Sequence, residues 1–338
     1  MTSLAPIRAI RDRVIVALSV SMLVLPALAI GSPASALAAS PSCADPVTTV
    51  PSGPATVSVV TTKSFGRVLA IGSGAYKGCS LYLLTSDKVH RLAGGPYACS
   101  NGLNAIGQPC DTVLWPALLT EGAPIAGPGV DARLLGTVTR TDLPGLSAVK
   151  QVTYAGFPLY RFFLDEDPGE TDGANLFDPV TSPTGIWYLV EPRHGRPAPG
   201  RAHMKLETAP VGDMGFSATV LAVTMDHGFV LANNATFPVY RLSADHRGHT
   251  NCWALCAAVF WPPVLTSGRP VAGPGVDQAA LGTIVRPDGS RQVTYHGKPL
   301  YLFYGDAYIP TLPYGAARID GAGTRTTWGV FNTIPRVP

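Results

Sequence analysis

Four tyrosine–aspartate pairs recur along the chain. Tyr82 precedes Asp87, Tyr160 precedes Asp165, Tyr240 precedes Asp245 and Tyr301 precedes Asp306, each in the pattern Tyr-x-apolar-x-x-Asp. Two kinds of chemistry are open to such a set. An aspartate just past a strand commonly accepts backbone N–H bonds in a turn, and the pairs would then be structural. Solvent-facing pairs would instead make a shared binding edge.

Two other clusters have the right residue types for a metal. The loop Asp165-Glu166-Asp167-Pro168-Gly169-Glu170-Thr171-Asp172 spaces carboxylates around a glycine, and Asp165, Asp167 and Asp172 are calcium candidates. The full EF-hand spacing is absent, and the matching loop Asp306-Ala307-Tyr308-Ile309-Pro310 has lost its acids. His246 and His249 lie within eleven residues of Cys252 and Cys256, a ligand-like set for zinc or copper. Against it stands an exported chain, where thiols oxidise. There is no G-x-S-x-G elbow, H-E-x-x-H, P-loop or C-x-x-C-H motif, and the expectation is no cofactor. A carboxylate hydrolase would need two acids about 5–10 Å apart across a cleft, and sequence-adjacent acids in one loop are poor candidates.

The elements that must position these residues are β-rich. Of 338 residues, 36 are glycine and 32 proline, 46% are hydrophobic and only 14% charged. Amphipathic helices need charged outer faces and few prolines, so a helical bundle is excluded. The high apolar fraction excludes disorder.

Residues 1–38 read as an export signal. Arg8, Arg11 and Arg13 precede the apolar run Val14 to Ile30, and Ala36-Leu37-Ala38 supplies small residues for cleavage. Cys43 follows Ser40-Pro41-Ser42, which lacks the aliphatic residue of a lipobox, so the expected chain is released rather than lipid-anchored. Removing the signal leaves 22 basic and 21 acidic residues, a net charge of +1. Such a chain has no electrostatic footprint for nucleic acid. No transmembrane segment is expected after cleavage.

The chain also repeats itself. WPALLTEGAPIAGPGVDARLLGTVTR at 115–140 aligns without a gap with WPPVLTSGRPVAGPGVDQAALGTIVR at 261–286, and the QVTY block at 151–154 with that at 292–295. Upstream, Ala55-Thr56-Val57 and Gly66 to Ala70 read as matching Ala218-Thr219-Val220 and Gly228 to Ala232. The expected organisation is a segment 39–49, a β domain at 50–191, a Pro-rich linker at 192–215 and a second β domain at 216–335. Each copy holds two Tyr/Asp half-units, punctuated by Trp115, Trp187, Trp261 and Trp328. QVTY-AG-FPLY and QVTY-HG-KPLY read as hairpins with two-residue turns. Gly129 to Gly136 reads as one helical turn stopped by Gly136. The fold expected is all-β, two tandem duplicated antiparallel domains built from four hairpin half-units, with a small β-propeller as the alternative.

The doubled arrangement resembles the bacterial secreted-repeat family, often described as predicted lipoproteins with a YxFxxD-type motif. Tyr160/Phe162/Asp165, Tyr301/Phe303/Asp306, Cys252/Cys256 before Trp261-Pro262-Pro263, and the GPGVD and QVTY blocks carry the resemblance. That family has no established activity, so the resemblance bears on fold and compartment.

The cysteines follow from the repeat. Cys110 and Cys256 each precede a tryptophan by five residues, which makes them equivalent. Their partners are then Cys99 and Cys252, and Cys43 with Cys79 remains. A regular helix holds Cβ atoms four residues apart at about 5–6 Å, too far for a disulfide, so 252–256 must be a tight or distorted turn. The sequence is therefore read as an exported, non-catalytic binding module with an unknown extracellular or cell-envelope ligand. A redox or metal-handling protein and an unrecognised carboxylate hydrolase are the alternatives.

Overall fold

In the computed structural model the described residues are 41–87, 97–100, 108–178, 185–212, 214–225, 236–254, 256–307 and 318–335. The export signal expected at 1–38 lies outside them. Among the described residues strands dominate, in six small sheets of three or four strands, and the all-β expectation holds.

In copy one, β1 (Thr56–Thr62) and β2 (Gly66–Ile71) form a hairpin with Val57 opposite Ile71. β3 (Tyr82–Leu84) carries the first motif tyrosine, and the short β4 (Ile125–Ala126) runs parallel to β1. β5 (Leu135–Arg140) pairs antiparallel with β6 (Val149–Tyr154). β7 (Gly185–Val190) then returns to pair with β3, Trp187 opposite Leu84.

Copy two repeats this plan. β8 (Ala202–Pro210) and β9 (Ser217–Met225) form a nine-residue hairpin register, and β10 (Tyr240–Leu242) carries the third motif tyrosine. β11 (Val271–Ala272) runs parallel to β8, and β12 (Leu281–Val285) pairs with β13 (Arg291–Tyr295). β14 (Gly329–Thr333) closes on β10, with Phe331 opposite Leu242.

The pairing corrects the upstream repeat register. Val57 faces Ala126 and Met204 faces Ala272, so β8 is the counterpart of β1, and β9 that of β2. Ala218-Thr219-Val220 therefore matches part of β2, not of β1, while Gly228 to Ala232 lies outside the described residues. Residues 192–215, read as a linker, contain strands at 197–198 and 202–210. Prolines suggested a spacer, but β8 alternates buried Ala202 and Met204 with polar residues, which is a strand signature.

Two further differences concern the turns and aromatics. The helical turn spans only Ala132–Leu134, and Gly136 lies inside β5 instead of ending the turn. Trp328 is not the counterpart of Trp187; Phe331 is, because each faces the equivalent leucine on the tyrosine strand. The two-residue turns are as read. Ala155 and Gly156 have φ of 48° and 81°, His296 and Gly297 of 51° and 77°, the left-handed pair that a right-twisted hairpin needs.

The half-units are not self-contained, because β7 follows the second motif yet completes the strand of the first. Tyr82 also bridges Tyr160 directly, and Tyr240 bridges Tyr301. A propeller would need each half-unit to be its own blade; here the halves interlock.

Each copy has its own aromatic core. Trp115 stacks on Trp187 at 3.7 Å in copy one, and Trp261 on Phe331 at 3.7 Å in copy two. A third cluster joins the copies: Leu69, Leu81 and Val152 pack with Met204, Leu221 and Val293. No helix among the described residues is long and apolar enough to cross a membrane.

Candidate functional site

The motif tyrosines and aspartates face inward, and they pair across half-units. The Tyr82 hydroxyl donates to Asp165 Oδ2 at 2.6 Å, and Tyr160 donates to Asp87 Oδ2 at 2.8 Å. In copy two, Tyr240 donates to Asp306 at 2.7 Å and Tyr301 to Asp245 at 2.5 Å. Each tyrosine thus serves the aspartate of the other half-unit. The second oxygen of every carboxylate accepts a backbone N–H: Cys99 on Asp87, Asp172 on Asp165, Asn251 on Asp245 and Asp320 on Asp306. All eight side chains are at most 2% exposed, so these pairs form no solvent-facing edge. The antiparallel bridge between the two motif tyrosines, Tyr82 to Tyr160 and Tyr240 to Tyr301, sets this crossing, since it lays each tyrosine strand directly beside the other.

Burial is the largest influence on the carboxyls. It lifts Asp87 from an ordinary 3.8 to about 6 and Asp165 to about 7, and raises Asp245 and Asp306 too, against the hydrogen bonds that favour the charge. The tyrosines are raised by burial and by the carboxylate each one faces.

The metal candidates are not brought together. Both Asp165 oxygens are engaged internally, while Asp167 and Asp172 are exposed. His246 and His249 sit exposed across a tight turn, with the His249 N–H on the His246 carbonyl. Cys252 and Cys256 are bonded to each other, so their sulfurs are not thiolate ligands. No group of three or more His, Cys, Asp or Glu converges among the described residues.

The six cysteines stand as three pairs: Cys43–Cys79, Cys99–Cys110 and Cys252–Cys256, with Cα separations of 5.5, 5.2 and 5.2 Å. The four-residue loop is distorted as expected, with Ala254 at φ 48°. After Cys110 and Cys256 the chain makes a π-turn, closed by the Trp115 N–H on the Cys110 carbonyl and the Trp261 N–H on the Cys256 carbonyl.

Sequence reasoning missed two sets of partners. Gly173 and Gly321 lie against the aromatic stack, and a Cβ there would come within 2.8 Å of Trp115 or Trp261. An Asp-Gly dipeptide at both places was the available signal. Arg140 and Gln151, with their counterparts Arg286 and Gln292, form a buried polar link beneath the disulfides. Arg140 bonds Gln151 at 2.5 Å and the Cys99 carbonyl at 2.9 Å; Arg286 bonds Gln292 at 2.5 Å and the Cys252 carbonyl at 3.3 Å. Both residues recur in the aligned blocks.

These features define a disulfide-bonded, duplicated all-β protein whose repeat motif builds its own interior. Residues 282–310 match the family described as a secreted repeat of unknown function, the family that the motifs resemble. That stretch runs from β12 through the Tyr301/Asp306 motif. No curated protein and no solved structure matches the chain.

Proposed function

We propose that the protein is an exported, non-catalytic binding module of the cell envelope or extracellular space, built from two copies of one repeat and released after cleavage near residue 38. The observation that supports this reading is the use of its chemistry-bearing residues: the four Tyr/Asp pairs and all six cysteines are spent on internal bonds. Three disulfides suit an oxidising compartment. What is left for function is the surface of a cross-linked scaffold, which suits recognition.

The test is co-sedimentation of the purified, oxidised chain with insoluble cell-wall material, with the supernatant assayed for released sugars or peptides. Saturable retention without product release is expected. Product release abolished by one carboxylate change, or no retention above that of an unrelated disulfide-bonded protein, would overturn the reading.

A further inference from the structure

The two copies differ at one buried charge. In copy one the Arg140 guanidinium is held by two carboxylates: Asp111 Oδ2 accepts from Nη2 at 2.7 Å, and Asp142 accepts from both Nε and Nη2 at 2.7 Å. The Arg140 side chain is 1% exposed. Copy two keeps the arginine, the glutamine and the cysteine carbonyl, but not these counter-ions. The position of Asp111, first after the disulfide cysteine, is Ala257. The counterpart of Asp142 is Asp288, whose Oδ1 accepts the N–H and the hydroxyl of Ser290. Arg286 is 6% exposed and has no ion pair with a described residue. Its guanidinium lies 4.4 Å from the ring of Trp253, which is half-buried.

A buried guanidinium cannot shed its proton, and leaving it without a counter-ion is costly. The burial that opposes its charge outweighs the more distant Asp288 and Asp245 and leaves its pKa lowered. A counter-ion from outside removes that cost. The buried Ala257 stands where copy one has Asp111, so copy two puts no carboxylate of its own at that place. Below the Trp253 ring a planar two-oxygen anion matches the flat fork of the guanidinium better than a tetrahedral one. We infer that Arg286, roofed by Trp253, is a binding site for a carboxylate supplied by a ligand, either a free small acid or the carboxyl end of a peptide. Copy one has this site internally blocked by Asp111. The site stands on the difference between the copies and does not depend on envelope binding.

The experiment uses the full oxidised chain at pH 7. Sodium acetate and N-acetylglycine, the latter a mimic of a peptide terminus, are titrated against sodium chloride at matched ionic strength. Tryptophan fluorescence and melting temperature are the readouts. A saturable response to the carboxylates beyond that of chloride is expected, and the tighter of the two names the source. Ala257→Asp supplies the missing internal carboxylate; it should melt higher than the parent without ligand and lose the response. Arg286→Gln should weaken carboxylate binding at least tenfold, and it decides the matter if Ala257→Asp does not fold. A chloride response equal to that of the carboxylates, or binding that survives in Arg286→Gln, would overturn the assignment.

Discussion

Raising pH from 4.5 to 7.5 should destabilise this protein, and the crossed pairs say by how much. Asp165 moves from 3.8 in the unfolded chain to about 7 in the fold, and Asp87 from 3.8 to about 6. At about 1.4 kcal/mol per tenfold change in acidity, ionising them inside the fold costs roughly 4 and 3 kcal/mol more than in the unfolded chain. The folded value lies above the unfolded one, so the folded chain binds more protons in this window. Stability is then fullest below about pH 4 and falls as pH rises through about 6 to 7. The surroundings reinforce this for Asp165, which faces Glu170 and Asp172, whereas Arg140 partly relieves Asp87. Asp142 works the other way: burial opposes its charge but Arg140 more than offsets that, so its contribution is lost only below about pH 4, outside the window. Copy two adds to the slope, because Asp245 and Asp306 are also raised by burial. At pH 4.5 the unfolded carboxyls are already mostly ionised, so about 5 of those 7 kcal/mol fall between pH 4.5 and 7.5, which for a chain of this size is a melting temperature roughly 8 °C higher at pH 4.5 than at pH 7.5. Thermal melts followed by near-ultraviolet circular dichroism measure it. Asp165→Asn, which cannot ionise, should remove about half of the copy-one slope. A melting temperature that rises from pH 4.5 to 7.5, or an Asp165→Asn slope equal to that of the parent, would mean that the Tyr82 and Asp172 hydrogen bonds outweigh desolvation, and the reasoning would be refuted.

Other perturbations reach the same interior. Tyr82→Phe and Tyr240→Phe each remove the hydroxyl partner of a buried carboxyl group and should cost about 1–3 kcal/mol in urea unfolding at pH 4.5. Gly321→Ala pushes a methyl to within 2.8 Å of Trp261 and 2.9 Å of Phe303, and should lose about 1–3 kcal/mol with a changed near-ultraviolet tryptophan signal. Replacing Cys99 and Cys110 by alanine opens a loop of eleven residues and should cost about 3 kcal/mol, while non-reducing peptide mapping of the parent recovers the three disulfide pairs.

The short-range features were legible because they depend on neighbouring residues. Ala155-Gly156 and His296-Gly297 mark hairpins by turn chemistry alone, and the Cys110-to-Trp115 and Cys256-to-Trp261 spacings equate two cysteines without any knowledge of the fold. The crossing of Tyr82 to Asp165 and of Tyr160 to Asp87 was not legible. An aspartate just past a strand looks the same in sequence whether it caps its own turn or accepts a hydroxyl 83 residues away. In fact each carboxylate takes the distant hydroxyl on one oxygen and, on the other, a backbone N–H that lies 12, 7, 6 or 14 residues further on. The counterpart of Trp187 was misread for a related reason: an aromatic at Trp328 invites alignment, but which residue enters the stack depends on the strand register, and Phe331 is the one opposite Leu242. In the segment 192–215 the prolines crowd the approach to β8 and suggest a spacer, while β8 itself pairs with β9 next to it and with β11 far along the chain.

Duplication here is not the joining of two finished domains. The cluster that unites Leu69, Leu81 and Val152 with Met204, Leu221 and Val293 is fully buried, and each such aliphatic side chain is worth about 1.5–3 kcal/mol when removed from water. Either copy alone would expose its half of that surface. The aromatic stack and crossed pairs are preserved in both copies because each copy must hold its own two tyrosine strands together. The polar link under the disulfide is held to a weaker standard. Copy one closes it with Asp111 and Asp142, while copy two leaves Arg286 buried with a glutamine, a carbonyl and an indole. With the shared core already securing the fold, copy two can carry an uncompensated charge that an isolated small domain could not. Structural redundancy between the copies thus makes room for the asymmetry at Arg286.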